Sequence, residues 1–191
     1  KAKKPILIND LKSIIKVINE DKNKTKRSKN KALLLVGFAG GFRRSELVEI
    51  TIDDIEFVKE GVKIFVKRSK TDQSGEGMTK GIPYFTNPSY CPVISLKDWI
   101  KEGDIKSGKV FKMSDKNVAL TIKKYVKLAG LDQSKYSGHS LRSGFATSTA
   151  ELGAEERSIM AMTGHKTTQM VRRYIKEANL FKNNALNKIK I

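Results

Sequence analysis

The sequence contains very little cysteine and no long apolar run. These absences argue against a disulfide-stabilised protein and against a membrane-spanning protein. Its one cysteine, Cys91, excludes an internal disulfide, and its two histidines have no neighbours at the spacing of a zinc site. No apolar run approaches the roughly 20 residues that span a bilayer. No secretory signal or lipidation motif is present, and the sequence begins at Lys1 rather than at a methionine. We therefore expect a soluble part of a longer protein, from a reducing, cytoplasmic compartment, with no metal, no cofactor and no membrane contact.

Acidic residues are also scarce relative to basic ones. Lysine and arginine number 38 against 20 aspartate and glutamate residues, which gives a formal net charge of +18. An excess of this size favours a polyanionic partner. The basic residues are spread along the whole chain, whereas membrane-surface binding concentrates them on one amphipathic helix or beside an anchor. Nucleic acid is therefore the favoured partner, and the alternative is a generally solvated basic surface.

The hydrophobic pattern predicts a mainly α domain with a small three-stranded antiparallel sheet. At 191 residues the chain, 1–191, fits a single domain better than two. Residues 21–31 are polar and basic, which favours an exposed loop along phosphates. Period-two patterns near residues 55–57, 62–66 and 82–85 predict the strands. Helical spacing predicts a first helix within residues 1–25, helices near 32–38, 43–50, 93–102, 114–128, 141–152, 155–162 and 167–177, and a tail helix within 178–191.

Both histidines of the chain stand in well-defined local motifs. One opens His139-Ser140-Leu141-Arg142, and the other closes Gly164-His165, nine residues before Tyr174. Earlier, Gly40-Gly41 breaks a helical pattern just before Phe42-Arg43-Arg44-Ser45-Glu46-Leu47. Each motif is ordinary alone, but linked motifs in one order are specific.

Together these segments resemble the tyrosine recombinase (phage integrase) family. That family has an arginine in G-x-R-x-S-E-L, a lysine on a β-hairpin, then H-x-L-R, G-H and a tyrosine nine residues on. The resemblance runs from about Ile6 to Tyr174 and implies the tyrosine recombinase/integrase catalytic-domain fold.

The chemistry of a phosphodiester explains why such residues are needed. Attack on phosphorus adds charge to the non-bridging oxygens, and planar guanidinium groups donate paired hydrogen bonds to such oxygens. The resemblance assigns this role to Arg43 and Arg142, and it makes Tyr174 the nucleophile that forms a 3′-phosphotyrosyl bond. Because that link preserves a phosphodiester, a 5′-hydroxyl reverses the reaction without ATP or metal.

The remaining site residues are expected to accept or donate protons. The resemblance places His139 near the nucleophile as a proton acceptor and His165 as a donor to a phosphate oxygen. Lys70, in Arg68-Ser69-Lys70-Thr71, matches the family's hairpin lysine and is the candidate general acid. Lys67 and Lys80 lie on the same predicted hairpin and stay open as alternatives.

Two neighbours of Arg43 need separate interpretations. Arg44 is a second cation that competes for the inward position, although the spacing from the glycine break favours Arg43. Glu46 is expected to orient the groups behind Arg43 rather than to react. Elsewhere, Trp99 and Cys91 are expected to be structural.

The resemblance implies a site-specific DNA recombinase, active in DNA recombination and DNA integration, with double-stranded DNA as its partner. The biological role stays open between phage or mobile-element integration, excision, chromosome-dimer resolution and inversion. Alternatives are a type IB topoisomerase, which only nicks and reseals, and a non-catalytic DNA-binding module derived from a recombinase.

The family resemblance also implies an assembly. Family members exchange C-terminal segments within a tetramer, so we expect a homotetramer on DNA, a monomer or weak oligomer when free, and a nucleoid-associated location. The apolar tail then packs on a neighbouring protomer, or alternatively caps this domain's own core. A helical core-binding domain precedes the catalytic domain in the family, and residues 1–25 are too few to form it.

Overall fold

The computed structural model describes residues 3–67, 76–165, 167–182 and 184–189, without the side chains of residues 177 and 178. The described part is mainly α-helical with one three-stranded antiparallel sheet, as the sequence predicts. The sheet follows the third helix. In chain order the elements are α1 (Ile8–Asn19), α2 (Lys24–Ala39), α3 (Arg44–Glu49), β1 (Ile55–Val58), β2 (Gly61–Val66), β3 (Met78–Pro83), α4 (Pro92–Glu102), α5 (Asp115–Leu128), α6 (Ser140–Glu151), α7 (Glu156–Thr163) and α8 (Thr168–Asn179).

The prediction of an exposed loop over residues 21–31 is wrong, because α2 already begins at Lys24. The side chain of Asn23 caps this helix by accepting a hydrogen bond from the backbone of Lys26 at 2.9 Å. Lysine and arginine are good helix formers. The basic side chains of this helix also have ion-pair partners, since Lys24 pairs with Glu102 of α4 at 2.6 Å. A basic composition alone therefore does not indicate a loop in this segment.

Helix α2 is the centre of the main core. Its second half, from Ala32 to Ala39, is buried on every side, which suits a stretch that is apolar all round. It packs against α4 and α6, while α1 packs against α2 and α5. The expected structural role of Trp99 is confirmed, because its indole nitrogen donates to the backbone oxygen of Val110 at 2.9 Å.

The sheet has the order β1-β2-β3 and turns one face towards the helices. Along β2, buried Val62, Ile64 and Val66 alternate with exposed Lys63 and Phe65, as period-two geometry requires. On β3 the buried positions are Lys80 and Ile82, and Lys80 stands directly opposite Ile64. A lysine therefore occupies an inward position in this small sheet.

A second, smaller apolar cluster joins α6, α7 and α8. It contains Phe145, Ala146, Ala150, Ile159 and Val171, and it places α8 against α6. Across the other side of α6 runs the N-terminal strap, which we define as residues 3–7. The strap lies so close that a Cβ atom on Gly144 would come within 1.9 Å of the Ile6 carbonyl oxygen.

The tail differs from the helix predicted there. After α8 ends at Asn179, the described residues contain a short 3-10 helix, Ala185–Lys188. The apolar side chains of Leu180, Phe181, Leu186 and Ile189 are exposed. No helix among the described residues is long and apolar enough to cross a membrane.

Candidate active site

The glycine break places Arg43 at the start of α3. Helix α2 ends at Ala39 with Gly40 as its C-cap residue, and Gly41 follows with a φ of 55°, a left-handed conformation that favours glycine. The Cβ of any other residue at Gly41 would also lie 2.9 Å from the ring of Phe145. Arg43 is then the N-cap residue of α3, with its side chain mostly buried, at 14% exposure.

Glu46 orients Arg43 through two hydrogen bonds, as the sequence predicts. One carboxylate oxygen accepts from the backbone nitrogen of Arg43 at 2.8 Å, and the other accepts from its Nη1 at 2.6 Å. Arg44, the competing cation, instead pairs with Asp115 at 3.3 Å, and 39% of its side chain is exposed. The structure therefore turns Arg43, rather than Arg44, towards Glu46.

Arg142 meets Arg43 from the first turn of α6. Its Nη1 donates to the carbonyl oxygen of Gly41 at 2.8 Å. Burial lowers the pKa of Arg142 to about 10, and the neighbouring charge of Arg43 contributes to that decrease. Its Nη2 is buried and has no hydrogen-bond partner among the described residues. An unsatisfied buried donor of a charged group is costly, so this atom favours a bound anion.

His165 follows directly after α7. Gly164 ends that helix in the left-handed conformation, with φ 67°, and His165 comes next with 8% exposure. Its Nδ1 lies 2.8 Å from the hydroxyl of Thr163. Burial lowers the pKa of His165 to about 4, with further decreases from Arg142 and Arg43. The imidazole is therefore neutral near pH 7 in the free protein.

The Thr163 hydroxyl decides which nitrogen of His165 carries the hydrogen. This hydroxyl has one hydrogen and donates it to the carbonyl oxygen of Ile159 at 2.8 Å. Nδ1 must then be the protonated nitrogen, which leaves Nε2 as an acceptor in the neutral ring. His165 donates from Nε2 only after it gains a proton or after the Thr163 hydroxyl rotates. Sequence reasoning missed Thr163, and only its position two residues before His165 could have pointed to it.

His139 is the N-cap residue of α6, one turn before Arg142. It is more exposed than His165, although its ring is partly shielded from solvent. Its pKa is lowered by partial burial and then by the positive charges of Arg44 and Arg142. These shifts show that His139 lies within electrostatic range of the arginines and favour its neutral, proton-accepting form.

Tyr174 lies half-buried on α8, packed against the cluster that contains Phe145 and Val171. The phenol is near enough to Arg142 to act on the pKa of that guanidinium. Together with Arg173 and residues of α6 and the strap, Tyr174 lines a cavity of about 250 Å³. The structure thus brings five of the six predicted site residues into one electrostatic neighbourhood.

The lysines of the hairpin have different environments. Lys70 lies outside the described residues, so its role stays a prediction. Lys67 is exposed and pairs with Asp54 at 3.1 Å. Lys80 is fully buried, and its pKa is lowered by that burial and by the charges of Arg142 and Arg43. Sequence reasoning did not foresee this position. The available signal was the alternation of β3, which places Lys80 on the same face as Ile82.

The cluster carries more positive than negative charge. Arg43, Arg142 and Lys80 surround one carboxylate, that of Glu46. Such a surplus, with an Arg142 donor that has no partner in the described part of the chain, suits an oxyanion such as a phosphodiester. Among the described residues, no group of three or more histidine, cysteine, aspartate or glutamate side chains is placed to hold a metal ion.

A profile of the Phage integrase family matches residues 6–180. The chain belongs to the phage integrase family. The integrase/recombinase XerD homologue of Selenomonas ruminantium is 44% identical over 99% of this chain and 58% of its own length. The tyrosine recombinase XerD of Haemophilus ducreyi is 32% identical over 74% of this chain and 49% of its own length. This phage integrase chain thus spans only about half the length of the curated relatives it matches.

Solved structures show the same fold at lower sequence identity. The XerH recombinase bound to its difH substrate aligns over 100% of this chain and 56% of its own, with a TM-score of 0.75 and 18% identity. The XerA recombinase aligns over 100% and 66%, with a TM-score of 0.74 and 20% identity. The predicted tyrosine recombinase/integrase catalytic-domain fold is therefore confirmed for this chain.

Proposed function

We propose that this chain, 1–191, is the single catalytic domain of a site-specific DNA recombinase that cleaves and rejoins DNA through a 3′-phosphotyrosyl intermediate. One observation carries the proposal most directly. Arg142 keeps a buried donor nitrogen with no partner among the described residues, beside Arg43 and within electrostatic range of the Tyr174 phenol. An anion between the two guanidinium groups would satisfy that donor and lie beside the nucleophile.

The proposed reaction assigns one role to each site residue. The Tyr174 oxygen attacks phosphorus, and the bond from phosphorus to the 5′-oxygen breaks. His139 accepts the phenolic proton, because its lowered pKa keeps it neutral. Arg43 and Arg142 donate to the non-bridging oxygens, and Lys70 gives a proton to the leaving 5′-oxygen. His165 joins the two arginines as a donor once its Nε2 carries a hydrogen, either by proton uptake or after rotation of the Thr163 hydroxyl. Attack by another 5′-hydroxyl reverses each step and joins the strands without ATP or metal.

The proposal extends to double-stranded DNA as the partner. The charge of +18 supports binding along phosphates, and related XerH was solved bound to its difH substrate. We propose a homotetramer on DNA and a monomer or weak oligomer when free. The exposed apolar side chains of the tail, Leu180, Phe181, Leu186 and Ile189, then pack on a neighbouring protomer. A DNA substrate also implies a cytoplasmic, nucleoid-associated location.

A trapping experiment tests the nucleophile. Suicide duplexes, nicked near the cleavage point and built from inverted repeats that flank the gene, are incubated with the protein. We expect a detergent-stable protein–DNA adduct that Tyr174→Phe abolishes. Tyr84→Phe is the matched control, because the Tyr84 hydroxyl is exposed and bonds to Lys97. An adduct that persists in Tyr174→Phe would reassign the nucleophile.

A second assay separates recombination from the topoisomerase reaction. Supercoiled plasmid without the repeats is compared with plasmid that carries two copies. We expect recombinant product only with both copies. Efficient relaxation of the plasmid without repeats, and no recombinant product from the other, would favour a type IB topoisomerase. Binding without either product would favour a non-catalytic DNA-binding module.

A further inference from the structure

Lys80 is a buried cation that the proposed mechanism leaves without a role. Its side chain has 0% exposure, on the inward face of β3. The ammonium donates to the carbonyl oxygen of Gly40 at 2.8 Å and to that of Met162 at 2.6 Å. Lysine is almost never fully buried unless it is paired, so these contacts need a reason.

The charge of Lys80 faces a carboxylate and an aromatic ring inside the site. Glu46 Oε2 lies 3.9 Å from its nitrogen, and the ring centroid of Phe42 lies 4.4 Å away. Glu46 is the same carboxylate that holds Arg43. Burial lowers the pKa of Lys80 to about 8, although Glu46 opposes this decrease. Near neutral pH the group is therefore mostly charged and interacts with the support of Arg43.

The two carbonyl partners belong to the segments that carry site residues. Gly40 opens the glycine break and precedes Arg43 by three residues, and Met162 precedes His165 by three residues. Lys80 itself belongs to β3, which contacts α7. One ammonium thus ties the sheet, the end of α2 and the end of α7 together.

We propose that Lys80 is a positioning residue for DNA cleavage, which holds Arg43 and His165 at the separation that one phosphate requires. This inference rests on the proposed function. Lys80 does not touch DNA, because it is fully buried. It acts through the carbonyl oxygens of Gly40 and Met162 and through Glu46. Small displacements of Arg43 or His165 would slow cleavage, since a shift of about 1 Å in a catalytic group reduces the rate by up to about a hundredfold.

Lys80→Met tests the proposal, because methionine has a similar length but no donor and no charge. Lys63→Met is the matched control on the same hairpin, since Lys63 is exposed on β2 and pairs with Glu56 at 3.4 Å. With the suicide duplex at saturation, we expect Lys80→Met to form the adduct about ten to a hundredfold more slowly. DNA affinity should change little, and Lys63→Met should match the wild type.

The imidazole of His165 provides a second readout that needs no DNA. The charge of Lys80 contributes, after burial and the two arginines, to the low pKa of His165. The chain has two histidines, so NMR can follow both rings, with His139→Gln for assignment. We expect Lys80→Met to raise the pKa of His165 and to leave that of His139 almost unchanged. A generally loosened structure would shift both.

Each outcome decides the question. A folded Lys80→Met with wild-type adduct rate and an unchanged His165 pKa overturns the proposal. If Lys80→Met does not fold, Lys80→Gln replaces it, because its amide keeps two N–H donors without the charge, and an intermediate rate supports the proposal. If neither variant folds, Lys80 is a folding residue and the proposal is rejected. If the wild type forms no adduct, the proposed function fails, and the NMR result still decides whether Lys80 sets the surroundings of His165.

Discussion

Arg142 donates from Nη1 to the carbonyl oxygen of Gly41 at 2.8 Å, a bond that spans 101 positions of the sequence. The bond fixes one side of the guanidinium and leaves Nη2 for an anion. Arg142→Lys keeps the charge but loses this two-sided geometry. We expect adduct formation to slow by more than about a hundredfold, as when one preorganised donor worth ~3 kcal/mol is lost.

Single-turnover trapping at saturating duplex measures this effect. Arg27→Lys is the control, because Arg27 lies near the opposite end of α2, about 20 Å from the site along a helix that rises 1.5 Å per residue. An Arg142→Lys rate within threefold of the wild type would remove Arg142 from the site.

Thr163→Val should alter the pH dependence of cleavage. The substitution removes the hydroxyl that accepts from Nδ1 of His165 and leaves the ring free to change tautomer. We expect a slower adduct rate and a shifted pH profile, and we expect Thr163→Ser to restore both. Thr149→Val is the control, since the Thr149 hydroxyl bonds to backbone carbonyl oxygens of its own helix. Equal profiles for Thr163→Val and the wild type would contradict the tautomer argument.

Acid should destabilise the fold through His165. The folded pKa is about 4, whereas an unfolded histidine titrates near 6.5. Between these values the unfolded chain binds more protons, so the free energy of unfolding increases with pH. Each pH unit in that window is worth up to about 1.4 kcal/mol. Urea unfolding at pH 4.5 and 6.5 measures the change, which should be smaller in His165→Gln than in the wild type.

Gly144→Ala should loosen the N-terminal strap. The added methyl group would meet the Ile6 carbonyl oxygen at 1.9 Å, so backbone must move. We expect a loss of about 1–3 kcal/mol in the free energy of unfolding, as in other overpacked sites. Gly81→Ala is the control, because no described atom lies within 4 Å of its Cβ position. If both variants unfold at the same urea concentration, the strap does not pack tightly on α6.

Much of the fold could be predicted because it depends on local patterns. The apolar spacing of α1 and α5 and the alternation of β2 are properties of neighbouring residues, and those elements appear where predicted. The prediction of a loop over residues 21–31 is wrong because a high content of charged residues does not by itself indicate irregular structure. Their charges are instead accommodated on a capped helix with ion-pair partners from distant segments, such as Glu102.

The motifs of the sequence by themselves determined the family and the order of Arg43, His139, Arg142, His165 and Tyr174, because each motif is written in a few consecutive residues. Only the tertiary structure decided that Arg43 rather than Arg44 contacts Glu46. It also decided that Thr163 sets the tautomer of His165 and that Lys80 is fully buried. The physical reason is the range of the interactions. Periodicity encodes which face of an element is apolar, whereas the contacts of Lys80 join residues 40 and 82 positions apart and exist only after the helices pack on the sheet.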